Sequence, residues 1–226
     1  MKILVTNDDG WDAPGLAVLK SLAAELGEVY VVAPKDPHSY AGHRVTEGGP
    51  LVLEETGSNQ FHLTGTPADC VSVALRSVFP DIDWVLSGIN RGGNLGVDVY
   101  PSGTVAAARE AALLGKPALA ISQYKRREME IQWEHSQQLA KPVVAQLMAA
   151  DWLAKTYWNV NLPHLAAGAV APVIRCEPDN EPLDVRFRRE GAEFRYAGTY
   201  RDRPFTPGRD VEHCFNGAIT VSQLQL

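Results

Sequence analysis

The sequence predicts an α/β fold, a doubly wound and mostly parallel Rossmann-like sheet with a smaller antiparallel C-terminal extension. Two observations lead to this prediction. Up to Pro163, short apolar runs alternate with segments of helical period, which is typical of a parallel sheet covered by crossover helices. Beyond Pro163, short segments alternate with loops that contain proline and glycine. We therefore expect a catalytic core over 1–163 and a β-rich extension over 164–226, packed on the core or used in oligomerisation.

The first crossover unit is predicted from three consecutive patterns. An apolar run over 3–6 predicts a buried strand. Pro14 is tolerated in the first turn of a helix, apolar residues follow it at helical spacing, and Gly27 is a natural end. The continuous apolar run 29–33 is typical of a parallel strand that is covered on both faces. Strand, helix and strand together predict a right-handed crossover.

The later elements of the core follow from the same reasoning. A polar stretch around residue 58 separates two short runs and predicts a hairpin near 50–64. The predicted core strands are 83–87, 117–122 and 157–161. The predicted helices are 66–78, 105–114 and 134–150. In the extension, the predicted strands are 170–175, 184–187, 194–200 and 218–221.

Composition and charge exclude several classes of function. The net charge of −6 opposes binding to a nucleic-acid polymer. No apolar run is long enough to span a bilayer, and the chain enters its first strand without the pattern of a signal peptide, so we expect a cytoplasmic protein with no membrane partner. The three cysteines form no Cys-x-x-Cys pair, which argues against a zinc site or a disulfide framework.

The most informative motif is Asn7-Asp8-Asp9-Gly10, which directly follows the first predicted strand. Adjacent carboxylates at the end of a buried strand are poorly solvated and repel each other, so both stay ionised only if a cation neutralises them. In open α/β sheets, ligands bind in the crevice beyond these strand ends. The alternative is a polar turn, since these residue types favour turns.

Two further strand ends supply side chains that can reach the same crevice. The second strand leads to a loop that contains Ser39, and the third leads to Asn90. With Asp8 and Asp9 they form a set of oxygen ligands, which suits one hard divalent ion, Mg²⁺ or Mn²⁺. Because neighbouring side chains of a strand point to opposite faces, the chain must already have left extended geometry at these aspartates.

A second motif, Ser102-Gly103-Thr104, begins a predicted helix after a glycine-rich approach. The unpaired N–H groups at a helix start form a phosphate site. The alternative is that Ser102 or Thr104 only caps the helix. Beside a metal site we favour the phosphate site. In the Ser39 loop, His38 and His43 are candidates for donating a proton to a leaving group. Three aromatic residues flank the predicted site and are candidates for stacking on a base or for ordinary packing: Trp11, Tyr40 and Tyr100.

Several motifs together resemble the SurE survival-protein family over residues 1 to about 122. They are Asn7-Asp8-Asp9-Gly10 with Ala13-Pro14-Gly15, Val31-Val32-Ala33-Pro34, Gly65-Thr66-Pro67-Ala68-Asp69-Cys70-Val71, Ser87-Gly88-Ile89-Asn90, Asn94-Leu95-Gly96 and Ser102-Gly103-Thr104-Val105. The chain departs from many relatives at Gly93, where they have proline, and at Pro101, where they have tyrosine.

The resemblance implies a metal-dependent phosphatase that acts on nucleoside monophosphates at the 5′ or 3′ position. It implies metal ligands at Asp8, Asp9, Ser39 and Asn90, and phosphate contacts at Asn94, Ser102, Gly103 and Thr104. It also implies a homodimer or homotetramer.

We accordingly expect hydrolysis of a phosphate monoester, with Asp8 or Asp9 as the catalytic base. An aspartyl-phosphate intermediate is a variant of this mechanism. A receiver-like, magnesium-dependent phosphate sensor is the alternative function, although the acceptor aspartate of such a domain is missing after the third strand. A nucleotide-dependent transferase is a second alternative.

Overall fold

The fold was analysed in a computed structural model, which describes residues 1–126, 129–183, 185–198 and 200–226. The strands in these ranges are β1 (Lys2–Thr6), β2 (Glu28–Pro34), β3 (Leu53–Gly57), β4 (Gln60–Leu63), β5 (Trp84–Arg91), β6 (Ala118–Gln123), β7 (Thr156–Leu162), β8 (Val173–Arg175), β9 (Phe187–Glu190), β10 (Glu193–Tyr196) and β11 (Ile219–Gln225). The α-helices are α1 (Pro14–Ala24), α2 (Pro67–Val73), α3 (Gly103–Leu113), α4 (Trp133–Ala149) and α5 (Asp210–Phe215). A π-helical segment, Ala74–Val78, continues α2.

The main sheet has the strand order β3-β4-β2-β1-β5-β6-β7-β11-β8. The six strands from β4 to β7 in this order are parallel, and β3 and β11 pair antiparallel with their neighbours β4 and β7. From β1 the chain first adds strands on one side and then crosses to β5 on the other side. The topological switch point therefore lies between β1 and β5, where a doubly wound sheet opens its ligand crevice.

Both faces of the sheet are covered, which explains the continuous apolar runs of its central strands. On β1, Ile3 and Val5 pack in the cluster that contains α1 and α4, whereas Leu4 packs on the opposite side with α2 and α3. Successive side chains of a strand alternate between faces, so a strand buried on both faces needs an unbroken apolar sequence. The predicted α/β class is confirmed by this arrangement.

One strand boundary and one helix differ from the sequence-based expectation. The strand expected at 83–87 continues as β5 to Arg91, after a register shift against β6 between Ser87 and Asn90. Gly88, which looked like a strand end, is instead a point of close approach, because an added Cβ would overlap the carbonyl oxygen of Ile121. The short helix α5 was not predicted, since its six residues show less than two turns of helical period.

The C-terminal strands lie partly where they were expected. β11 begins at Ile219, runs to Gln225 and joins the main sheet together with β8. β9 and β10 form a separate antiparallel hairpin, displaced from the expected ranges 184–187 and 194–200. Two positions of those ranges, 184 and 199, lie outside the described residues. Among the described residues, no helix combines the length and apolarity needed to cross a membrane.

Gly15 allows α1 to approach β5 closely, and we expect the variant Gly15→Ala to lose stability. A Cβ at this position would overlap the carbonyl oxygen of Ile89 and lie 3.0 Å from Trp133 Cη2. Alanine favours helices by about 1 kcal/mol over glycine, but relieving this overlap requires α1 to move off the sheet, at a cost of about 3 kcal/mol. Urea unfolding measures the difference. As a control, Ala17→Gly on the exposed face of the same helix is expected to cost about 1 kcal/mol. A stabilised Gly15→Ala variant would contradict this account.

Candidate functional site

The candidate site is a solvent-open cleft of about 540 Å³ beyond the carboxyl ends of β1 and β5. It lies at the topological switch point of the sheet. All four residues that were predicted as metal ligands line it: Asp8, Asp9, Ser39 and Asn90. Of the predicted phosphate contacts, Asn94 and Ser102 line it as well. The remaining lining residues are Tyr40, Arg91, Gly92, Gly93, Asp98, Pro101 and Tyr200.

The acidic motif forms a turn that directs its carboxylates into this cleft. The side-chain amide of Asn7 donates a 2.8 Å hydrogen bond to the Gly10 carbonyl, and Gly10 has a φ of 107°. Glycine adopts such a φ without strain, whereas other residues rarely do. The polar turn that sequence analysis weighed against a site is therefore present, and it is the turn that carries Asp8 and Asp9.

Asp8 is buried, with a relative exposure of 6%. Burial raises the pKa of its carboxyl to about 6, and the charge of Asp9 adds to the shift. The Thr104 hydroxyl opposes this shift, because it donates a 2.5 Å hydrogen bond to Asp8 Oδ1. Hydrogen bonds from the backbone N–H groups of Thr104 and of Asp8 itself also lower the pKa of this carboxyl in part.

Asp9 is half-buried beside Asp8. The backbone N–H of Arg91 donates a 2.9 Å hydrogen bond to Asp9 Oδ2. Burial nevertheless raises the pKa of Asp9 above its usual value, although the Arg91 hydrogen bond and charge lower it in part. Both carboxylates of the pair are therefore incompletely neutralised by the surrounding protein.

The chemistry of this donor set fits a hard divalent cation. One buried and one half-buried carboxylate with raised pKa values gain stability from a cation, and Ser39 and Asn90 add a hydroxyl and an amide oxygen in the same cleft. The Asn90 amide nitrogen donates to the Gly92 carbonyl at 2.9 Å, which leaves its oxygen for another partner. The described residues that line the cleft include no histidine and no cysteine, so its donor set does not match the nitrogen- and sulfur-rich sites typical of zinc.

The N-terminus of α3 lies against Asp8. Ser102 is the N-cap, and its hydroxyl accepts a 3.1 Å hydrogen bond from the Val105 N–H. Gly103 follows, so close to Asp8 that an added Cβ would lie 2.8 Å from the Asp8 Cβ. Gly103 and Thr104 are buried and contact Asp8, and they are not among the cleft-lining residues. Ser102 is thus both a helix cap and part of the cleft wall.

Sequence reasoning missed one wall of the cleft. Tyr200, from the C-terminal third, lies with its hydroxyl 2.7 Å from Asp98 Oδ2 and 3.2 Å from the Gly93 carbonyl oxygen. Arg203 pairs with the same Asp98 carboxylate, and both side chains of this ion pair are buried. No motif surrounds Tyr200 or Arg203, and their partners lie about a hundred residues earlier in the chain, so no local pattern could have found them.

The other candidate residues have different positions. Trp11 lies in a separate groove and packs on His62 with ring centroids 5.5 Å apart. Tyr100 is exposed but does not line the cleft, whereas Tyr40 does, with 82% of its surface exposed. The backbone N–H of His38 donates to the Asp8 carbonyl at 2.8 Å, and its ring is absent from the cleft wall.

His43 faces away from the cleft and anchors the loop that carries Ser39. Its Nε2 lies 2.8 Å from Glu110 Oε2 on α3, and the Ser72 hydroxyl donates to the other oxygen of this carboxylate. Thr46, in the same loop, donates to Asp69 on α2 through both its N–H and its hydroxyl, at 2.9 and 2.7 Å. These bonds tie the loop to α2 and α3, the two helices that cover one face of the sheet.

We therefore expect His43→Ala to lower kcat/KM for the expected hydrolysis of a phosphate monoester about tenfold, with little loss of thermal stability. The reason is that the Ser39 loop loses one of its anchors. The hydrogen bond from His43 is the main cause that lowers the pKa of Glu110. The contribution of this hydrogen bond to folding stability is therefore present above the usual glutamate pKa and is lost as the pH falls below it. Limited proteolysis within 36–48 measures the loosening. His213→Ala, at a half-buried histidine of α5, is the control. Unchanged kinetics and unchanged cleavage in His43→Ala would contradict the anchoring role.

The sheet order and the acidic crevice at its switch point define the chain as a doubly wound, Rossmann-like α/β protein. The model of the family described as survival protein SurE matches residues 3–181, and the chain belongs to this family. The protein named "Putative 5′-nucleotidase alr3139" from Synechocystis sp. is 45% identical over the whole of both chains. The 5′-nucleotidase SurE of Paramagnetospirillum magneticum is 38% identical over 99% of this chain and 89% of its own length. The crystal structure of the SurE protein from Aquifex aeolicus superimposes with a TM-score of 0.88 at 30% identity, covering 100% of this chain and 93% of that one.

Proposed function

We propose that this protein is a divalent-metal-dependent nucleotidase, which hydrolyses nucleoside 5′- or 3′-monophosphates to nucleoside and phosphate. The observation that carries the proposal is the pair of adjacent carboxylates with raised pKa values, the buried Asp8 and the half-buried Asp9, in a cleft bounded by the N-terminus of α3. Relatives named 5′-nucleotidase over the full length of the chain support the same activity.

Asp8, Asp9, Ser39 and Asn90 would hold one Mg²⁺ or Mn²⁺ ion per chain. Such an ion supplies Lewis-acid stabilisation of the phosphoryl oxygens and lowers the pKa of water. Around it, the chain's own groups have defined tasks. Ser102 and Asn94 donate hydrogen bonds to the phosphoryl oxygens, and the partial positive charge at the N-terminus of α3 favours the anion. One of the two carboxylates accepts the proton of the attacking water.

The cleft also has room for the nucleoside. It is open to solvent, so a nucleoside attached to the bound phosphoryl group can extend out of it. Tyr40, at the rim, presents an exposed ring on which a base can stack. The wall formed by Asp98 and Gly93 is held in place by Tyr200, whose hydroxyl contacts both.

The alternative functions lack a supporting observation. A receiver-like phosphate sensor needs an acceptor carboxylate at the carboxyl end of the third core strand, which is β5 here. That end of β5 carries Asn90 instead. A transferase needs a site for a second substrate next to the first. The other large groove, lined by Trp11 and Phe61, opens between α1 and the β3–β4 hairpin. It shares no lining residue with this cleft.

The experiment is phosphate release from AMP, 3′-AMP and p-nitrophenyl phosphate after removal of metal with EDTA and readdition of Mg²⁺ or Mn²⁺. We expect release only with metal, and strongly reduced release in Asp9→Asn. Activity that persists in EDTA would refute metal dependence. Metal binding without turnover of any monoester would refute the enzymatic function and favour a sensor, and turnover only with an acceptor alcohol would favour a transferase.

A further inference from the structure

Asn94 is held by an unusually complete set of buried hydrogen bonds. Its backbone N–H donates to Asn161 Oδ1 at 2.8 Å. Its carbonyl accepts from the side-chain amides of Asn159 at 2.9 Å and Asn161 at 3.1 Å. Its own side-chain nitrogen donates to the Ser122 hydroxyl at 2.7 Å. Four hydrogen bonds from two strands thus fix the main chain and the side chain of one loop residue.

The residues that make these bonds belong to the sheet itself. Ser122 lies on β6 in register with Asn161 on β7, and Asn159 and Asn161 lie two residues apart, so their side chains project from the same face. All three are almost fully buried, with at most 1% exposure. Asparagine is a poor strand former, and burying its amide lowers stability unless each polar atom is paired. A buried strand designed only for stability would carry apolar residues here.

These asparagines place one hydrogen-bond donor in the cleft. The side-chain nitrogen of Asn94 has two hydrogens, of which Ser122 accepts one. Asn94 lines the cleft and retains 7% exposure, so its second hydrogen can be offered to a ligand there. Because both the main chain and the side chain of Asn94 are held, its amide needs no reorganisation when an anion binds. Such preorganisation strengthens anion binding.

We propose that Asn159 and Asn161 are positioning residues, which hold the Asn94 amide in place to bind the phosphoryl group in the cleft. This inference rests on the proposed function, because it assigns the phosphate contact to Asn94. Asn161 binds both the N–H and the carbonyl of Asn94, whereas Asn159 binds only the carbonyl. Asn161 is therefore the more important of the two.

The test compares Asn161→Ala with the wild type in kinetics and in phosphate binding. We expect kcat/KM for AMP to fall about 30-fold, mainly through a higher KM, and the inhibition constant of inorganic phosphate to rise by a similar factor. Thr220→Val is the matched control. Thr220 is equally buried, lies in register with Asn161 on β11, and its hydroxyl has no hydrogen-bond partner among the described residues. This control is expected to keep wild-type values.

A double-mutant cycle separates positioning from general structural support. If Asn161 acts through the Asn94 side chain, Asn94→Ala/Asn161→Ala has the same kcat/KM as Asn94→Ala. If the effects of the two substitutions multiply, Asn161 serves only the fold and the inference is overturned. Asn159→Ala removes one bond and is expected to lower kcat/KM about threefold with the same non-additivity, and it provides the cycle if Asn161→Ala does not fold.

Binding of inorganic phosphate, measured by calorimetry, distinguishes a failure of this inference from a failure of the proposed function. If the wild type hydrolyses no monoester but binds phosphate more tightly than Asn161→Ala does, the inference is retained and the proposed enzymatic function is refuted. A wild-type protein that neither binds phosphate nor hydrolyses a monoester would overturn both. Wild-type kinetics and phosphate affinity in both asparagine variants would overturn the inference alone.

Discussion

Asp8→Asn is expected to abolish nucleotide hydrolysis, by a factor of about 10³ or more, and at the same time to stabilise the metal-free protein. Asparagine keeps the oxygen that accepts the Thr104 hydroxyl but removes the charge that a divalent cation requires. Because burial raises the pKa of Asp8 to about 6, the folded protein binds this proton more tightly than the unfolded chain. Stability is therefore lost as the pH rises from about 4 through 6, by about 3 kcal/mol at pH 8.

The measurement is urea unfolding of both metal-free proteins at pH 4 and pH 8. Asp8→Asn should exceed the wild type in free energy of unfolding by about 3 kcal/mol at pH 8 and match it at pH 4, where Asp8 is protonated. Mn²⁺ should raise the melting temperature of the wild type alone. Asp12→Asn makes the same change of charge at an exposed position of the next turn. It should alter neither the pH dependence of the free energy of unfolding nor the rise of the melting temperature with Mn²⁺. Metal-dependent turnover in Asp8→Asn, or a lower stability at pH 8, would contradict this account.

This conflict between stability and function explains why the acidic motif could be recognised in the sequence. Asp8 and Asp9 interrupt an apolar strand pattern with two adjacent charges, a choice that the fold alone does not favour. Ser39 and Asn90 could be added because the carboxyl ends of neighbouring parallel strands meet at one edge of a sheet. The central strands were predictable for a related reason, since burial on both faces requires an unbroken apolar run.

The features that were missed depend on contacts between distant parts of the chain. Tyr200 and Arg203 meet Asp98 through a turn of the C-terminal segment that has no periodic pattern. Asn159 and Asn161 were included in a predicted strand, and their meaning depends on the loop residue that they bind across β6. Two asparagines at alternate positions of a buried strand were nevertheless a signal, because a strand of that kind is otherwise apolar.

Gly103→Ala is expected to lower kcat/KM about 100-fold while the protein remains folded. Alanine is the better helix former, but a Cβ here would lie 2.8 Å from Asp8 Cβ, 3.0 Å from Asp8 Oδ2 and 3.2 Å from Pro67 Cγ. Either the Asp8 side chain or the first turn of α3 has to move, and a displacement of about 1 Å in a catalytic group costs on the order of 10² in rate.

Kinetics and thermal unfolding of the same preparation test this prediction, with Gly48→Ala as the control. Gly48 has open space around its Cβ position and an ordinary φ, so that variant should keep wild-type activity. An active Gly103→Ala enzyme would mean that the N-terminus of α3 need not contact Asp8. A Gly103→Ala enzyme that is inactive but has a wild-type melting temperature would show that glycine is required at this position for the geometry of the site, because alanine would then satisfy the fold equally well.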